Sequence, residues 1–337
     1  MYKRLTNIKY WINMVLERKE RRESIWMKEV KGIFNNKPFS MIPNIFVKNI
    51  DGEDCIMNEK QLAIASIIYM TRSSKDVCIF SINSICDNLG LAYNSRIKKT
   101  IIDTLQLLTD EDQVHFKSKI YLNDDYTIKH LNILKANDII YGQLINHMDG
   151  DFCMFCDLDI DKLVKYSIDN EVDLYYLVKQ YIYICSCLNK DEKCEDYLCA
   201  YPKLDSIANA CNIKSKNTIV KYNSIFKELK IFSFDYAGYK IDKNGNETIR
   251  NGVMFYTPYG NEEILLQRLK IDRDKHGYYK VSNKYKELMN LQISISKKIT
   301  NINQLKDKSI IDLEKLKLLE QEKEKIIEMI KEEKLPL

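Results

Sequence analysis

The chain holds 337 residues, 45% of them hydrophobic and 30% charged, with a formal net charge of +4, a mix that places it among globular proteins of two or three domains. Its longest apolar runs, around Ile67 and Tyr181, are too short for a membrane span, and lysine and asparagine interrupt the basic N-terminus where an export signal needs an apolar core. A cytoplasmic protein with no membrane partner is expected, and its ten cysteines are expected to stay reduced.

Residues 1–36 read as a basic amphipathic helix. Leu5, Ile8, Ile12 and Val15 recur at helical spacing, Trp11 and Leu16 widen the stripe, and Arg18, Lys19, Arg21 and Arg22 follow. Two readings stand: a basic arm that reaches phosphate or a minor groove, or a solvated helix laced with Glu17, Glu20 and Glu23. Pro38 and Pro43 then mark an extended entry into a first domain, residues 37–148.

In that domain Asn58 caps a helix carrying Leu62, Ala63, Ile67, Ile68 and Met70, and residues 78–81 form a short strand. Ser81 caps a second helix, Gly90 makes the turn, and Asn94 or Ser95 caps a third. Ser95, Arg96, Lys98 and Lys99 are expected on the exposed face of that third helix. Residues 114–122 and 127–134 alternate apolar and polar around Asn123-Asp124-Asp125, which predicts a hairpin bearing Lys117 and Lys119.

Residues 149–170 read as an acidic linker, made of a strand and then a short helix over Asp159 to Tyr166. The run Phe152-Cys153-Met154-Phe155-Cys156 predicts a strand, whose alternation would send Cys153 and Cys156 to opposite faces and disfavours a zinc site with Cys185, Cys187, Cys194 or Cys199. Asp157, Asp159 and Asp161 alternate as calcium ligands would but lack the glycine and closing glutamate of an EF-hand loop, so they read as helix-capping acids. No metal and no cofactor are expected.

The second domain, residues 171–260, opens with a helix whose Leu174, Leu177, Val178, Tyr181, Ile182 and Cys185 face inward. A stripe of Leu204, Ile207, Ala208 and Cys211 follows; Asn212 and Ile213 break it, and Ser215 caps the next helix. In that helix Ile219, Ile225, Phe226 and Leu229 can face a core. Ser215, Lys216, Asn217, Thr218, Lys221 and Tyr222 are the candidate contacts of a recognition helix lying in a DNA major groove. Residues 231–241 and 247–257 flank Asp242-Lys243-Asn244-Gly245, a strong hairpin signal that brings in Lys240, Lys243 and Arg250. The two domains repeat: 122 residues separate Ser84 from Ser206, Ile85 from Ile207, Leu91 from Ile213, Ile97 from Ile219, Lys99 from Lys221 and Leu107 from Leu229.

Residues 261–337 carry heptads. Leu288, Ile295, Ile302, Leu316 and Ile330 form one seam position, and Leu291, Leu305, Leu319 and Ile326 the other. A coiled coil between two chains is favoured, and Ser309, Lys323, Lys298 and Asp312, which weaken the seam, leave a helical hairpin within one chain as the rival. The expected fold is mainly α with small β-hairpins, an α+β chain. It would comprise two winged-helix domains, since three helices then a hairpin is that plan, plus an N-terminal helix and a C-terminal long helix or coiled coil.

No P-loop, G-x-G-x-x-G or H-E-x-x-H is present, and His115, His130, His147 and His276 share no ligand spacing, so no enzyme is expected. Over about residues 58–257 the arrangement resembles the tandem winged-helix replication initiators of bacterial plasmids and phages. The resemblance implies binding of double-stranded DNA at origin repeats, self-repression as a dimer and recruitment of host replication proteins. It places Ser215, Lys216, Asn217, Thr218 and Lys221 at recognition-helix positions. The long C-terminal segment departs from that plan. A transcriptional repressor or partition protein is the near alternative, and a protein-interaction module assembled by the C-terminal coil is one of another class.

Overall fold

The computed structural model describes residues 37–49, 55–73, 77–109, 116–122, 131, 133–146, 152–191, 193–194, 196–241, 247–250, 253–278, 283–305 and 309–333. The expected N-terminal helix lies outside these. Among the described residues the chain is mainly helical with small antiparallel sheets, and it divides into two compact units: Met1–Asp235 with Val253–Arg268, and Tyr236–Gly252 with Leu269–Leu337.

In the first unit β1 (Phe39–Pro43) runs toward α1 (Glu59–Met70), β2 (Val77–Phe80), α2 (Ile82–Asn88), α3 (Ser95–Leu108), β3 (Phe116–Leu122), β4 (Ile140–Asn146) and β5 (Phe152–Cys156). Strands β1 and β5 pair antiparallel, with Phe39 opposite Cys156 and Pro43 opposite Phe152. All five residues of β5 are buried, which explains why the run has no polar position. The Cys153 thiol donates to the Ile182 carbonyl at 3.4 Å, and burial pushes its pKa up to about 12. All ten cysteines are free thiols. The expected strand and helix are both present, the helix longer than the expected Asp159 to Tyr166: β5 runs straight into α4 (Asp157–Asn170).

The first three helices start where side chains can satisfy their free N–H groups. Asn58 accepts from Lys60 and Gln61 at 3.0 Å while Gln61 accepts from the Asn58 N–H, a reciprocal cap that Ser81 and Ser84 repeat; Asn94 caps α3. Strands β2, β4 and β3 form one sheet in that order, with Gly142 opposite Cys78 on one side and Ile120 on the other. β3 thus pairs with residues 140–146, a partner that must also reach β2 and so is set by long-range pairing; the expected turn at Asn123-Asp124-Asp125 and most of the expected strand 127–134 lie outside the described residues.

The second segment has α5 (Leu174–Ser186), α6 (Leu204–Cys211), α7 (Lys216–Glu228), β6 (Phe232–Tyr236), β7 (Tyr239–Ile241), β8 (Glu247–Arg250) and β9 (Met254–Pro258). β7 pairs with β8 within the second unit, and β9 pairs with β6. Ala200 stands where β2 stood, exchanging bonds of 2.9 and 2.8 Å with Tyr256 of β9, so the returning strand is again central. The turns correspond as well. Gly90 (φ 63) and Asn212 (φ 55) both adopt the left-handed conformation, and the following N–H groups of Leu91 and Ile213 bond back to the Cys86 and Ala208 carbonyls, each at 2.9 Å, closing a Schellman-type end.

The separation of 122 holds only through that turn. The second turn is one residue shorter before its cap, Ser215 against Asn94, so the helices beyond align at 121. At that register buried Ile101, Ile102, Thr104 and Leu105 fall on buried Tyr222, Asn223, Ile225 and Phe226. The pairs Ile97/Ile219, Lys99/Lys221 and Leu107/Leu229 are therefore corrected: Val220 is the counterpart of Lys99, and Lys221 that of Thr100.

Helices α1 and α5 pack together; Lys179, only 5% exposed, donates to the Met57 carbonyl at 3.3 Å. From Gln180 a buried polar chain runs to β9. Its Nε2 donates to the Ile219 carbonyl (3.2 Å) and Asn223 Oδ1 (2.9 Å), and Asn223 Nδ2 donates to the Tyr256 hydroxyl (2.9 Å).

Helix α8 (Glu262–His276) leads into α9 (Asn283–Asn303) and α10 (Ile310–Glu333). In the second unit α9 and α10 pack on each other around Tyr285, Leu288, Ile295, Ile302, Leu319, Ile326 and Ile330. These residues meet within one chain, the helical hairpin expected as the rival of a coil between two chains, and Leu291 and Leu305 are left exposed. Ser309 and Asp312 are a helix start rather than seam flaws: the Ser309 hydroxyl accepts from the Asp312 N–H at 3.2 Å, and the Asp312 carboxylate accepts from the Ser309 N–H at 3.1 Å. Among the described residues no helix is long and apolar enough to cross a membrane.

Two outcomes follow for stability. A Cβ at Gly90 would sit in the left-handed region and 2.3 Å from the Ile168 Cδ1 atom; Gly90→Ala should lower unfolding free energy by about 1–2 kcal/mol, whereas Asn212→Gly should change it by less than about 0.5 kcal/mol, as read from urea midpoints. Burial, with the Asp161 carboxylate adding to it and a Ser40 hydrogen bond opposing, raises Asp157 from 3.8 to about 6. A raised acid binds its proton more tightly when folded, so its contribution falls as pH rises through that window and stays low above it. Asp157→Asn should gain about 1–2 kcal/mol relative to the parent at pH 7 compared with pH 4.

Candidate nucleic-acid interface

Helix α7 forms because Ser215 caps it, accepting from the Asn217 N–H at 3.3 Å, and because one side fits the core. Ile219, Tyr222, Asn223, Ile225 and Phe226 are buried. The other side carries Lys216, Asn217, Val220, Lys221, Ser224 and Lys227, all exposed, with Ser215 at the entrance and Thr218 half-buried. Five of the six expected contacts on this helix thus sit at or beside one surface. Tyr222 does not. It is 4% exposed, and burial, with Asp173 and Tyr176 nearby, pushes its phenol up to about 12, so its ring belongs to the core. A polar hydroxyl on an aromatic side chain gave an ambiguous sign in the sequence, and the helical phase decides it.

Lys216 is partly committed: its Nζ lies 2.6 Å from the Asp205 carboxylate of α6, with both side chains more than half exposed. Such a pair contributes little to stability in water, so phosphate can compete for the ammonium. Neither α3 nor α7 has an acid in its first turn, which leaves the positive end of each helix dipole uncompensated. On α3, Ser95, Arg96 and Lys99 are exposed and Lys98 is half-buried, so the corresponding surface exists in the first segment too.

The hairpin residues are placed by strand register. Lys117 stands opposite Ile145 and Lys119 opposite Gln143 in β3–β4; Lys240 stands opposite Ile249, and Arg250 opposite Tyr239, in β7–β8. Lys243 lies outside the described residues. Val220 and Ser224 complete the exposed stripe of α7 and were not singled out in the sequence. Val220 lies three residues after Asn217 and Ser224 three after Lys221, and that spacing was the available signal. Among the described residues no three His, Cys, Asp or Glu side chains converge as metal ligands would.

No protein-family model matches the chain, and no curated protein matches it.

The local energetics can be measured without any ligand. Ser215→Ala should destabilise the first unit by about 1 kcal/mol through the lost cap. Lys216→Ala with Lys221→Ala should leave the melting transition nearly unchanged, within about 0.5 kcal/mol, because both groups are exposed.

Proposed function

We propose that residues 58–146 and 173–258 are two winged helices and that the chain binds double-stranded DNA, with α7 in the major groove and α3 as a second contact. The biological setting we propose is cytoplasmic replication initiation at origin repeats of a plasmid or phage, with host replication proteins recruited there. A repressor or partition role is the near neighbour. The observation that carries this reading is the division of α7 into an apolar inner side and an exposed side of Ser215, Lys216, Asn217 and Lys221. Such a surface suits phosphate and base edges and needs no further side chain to be useful. The two segments also share helix order, turn geometry and a central returning strand, which supports reading them as one plan used twice.

Fluorescence anisotropy with labelled duplexes across a salt series tests the reading. Affinity should fall by about 0.9 log unit per log unit of salt for each phosphate neutralised, and Lys216→Ala with Lys221→Ala should reduce that slope by about two phosphates. Absence of any salt-dependent binding, on random or selected duplexes, would sink it. Asn217→Ala should instead relax preference at one base pair by about 1–3 kcal/mol.

A second reading, a protein-interaction module that assembles copies of the chain into a dimer, is favoured by exposed Ile310, Ile311, Leu313 and Leu318 on α10. Light scattering of the purified full chain would give a dimer mass on that reading and a monomer mass against it.

A further inference from the structure

We infer that Val220 is a specificity-determining residue that reads the 5-methyl group of thymine, so that the base step under α7 contains an A·T pair; this rests on the DNA-binding reading above. Asn217, Val220, Lys221 and Ser224 stand at i, i+3, i+4 and i+7 and so line one face of α7. Val220 is 45% exposed. It is the apolar member of an otherwise polar stripe, and its β-branch is unfavourable in a helix. Packing gives no reason for it, because Ile219, Tyr222, Ile225 and Phe226 already supply the buried side.

The chemistry of the major groove gives one. Only an A·T pair presents a methyl group there, while adenine offers the N6 donor and N7 acceptor that an asparagine amide matches in a bidentate pair. Asn217, one turn before Val220, places that amide beside the branched methyls, so the two side chains together match adenine and thymine edges. The first segment lacks the combination. In the corrected register Arg96 stands for Asn217, Lys99 for Val220 and Thr100 for Lys221, so a lysine takes the place of the branched apolar group and an arginine, suited to guanine or phosphate, that of the amide. The two helices therefore divide the work: α7 reads the A·T step, and α3 does not read a methyl.

The test uses the full chain and two probes. One is the tightest duplex recovered from a random pool; the other is the same duplex with every dT replaced by dU, which removes only the 5-methyl groups. The parent should bind the dU duplex about fourfold more weakly, the effect of one buried methyl. Val220→Ala, with an unchanged melting temperature, should bind the two duplexes with a smaller ratio than the parent, and Arg96→Ala should keep the parent's ratio. Equal binding of the two duplexes by the parent, or a ratio unchanged in Val220→Ala, overturns the inference while leaving DNA binding intact. A chain that selects no duplex removes the DNA-binding reading and this inference with it.

Discussion

Gln180 lies in a stretch of α5, Leu177 to Ser186, in which every residue is buried. The amide nitrogen there has no water to turn to and finds its acceptors in protein groups. It donates to the Ile219 carbonyl and to Asn223, and Asn223 passes the chain on to the Tyr256 hydroxyl of β9. This constraint sets the rotation of α7. Once Asn223 faces α5, Ile219 and Phe226, a turn away on either side, face inward too, and Asn217, Lys221 and Ser224 are turned outward. The chemistry of the exposed surface is thereby fixed from the inside, by hydrogen bonds more directional than apolar contact alone. The same helix carries Lys179, whose ammonium reaches the Met57 carbonyl, so α5 holds the first segment as well as the second.

Much of the helical order was legible in the sequence because its signals are local. Asn58, Ser81, Asn94 and Ser215 cap the helices they were expected to cap, and Gly90 and Asn212 mark the turns. What escaped depends on distant partners or on a single inserted residue. The strand facing β3 is chosen by β2 and lies beyond a long connection. The pairing of β1 with β5 joins residues more than a hundred positions apart, and turned an apparent linker into core. The extra residue in the first turn, invisible to a fixed offset, shifts the equivalence of Lys99 from Lys221 to Val220. Tyr222 was misplaced for a related reason: counting polar groups along a helix does not give its phase, whereas the buried set does.

The C-terminal heptads show the opposite ambiguity. A repeat of seven describes any two helices packed along a seam, whether they belong to one chain or two. Here the reciprocal cap between Ser309 and Asp312 restarts the helix, so Leu319, Ile326 and Ile330 meet Leu288, Ile295 and Ile302 of the same chain. Ser309 and Asp312, two of the four residues that weakened the seam, are those that permit the hairpin. The exposed Leu291 and Leu305 are the part of the heptad pattern that the hairpin leaves unused.

The account turns on whether the outward side of α7 meets phosphate and bases. Acetylation footprinting of the full chain, read by mass spectrometry with and without a selected duplex, addresses that surface residue by residue. Lys216 and Lys221 should lose reactivity when duplex is added, while Lys297 and Lys331 on the C-terminal hairpin keep theirs. Unchanged reactivity of Lys216 and Lys221 in a sample that binds the duplex would contradict the account.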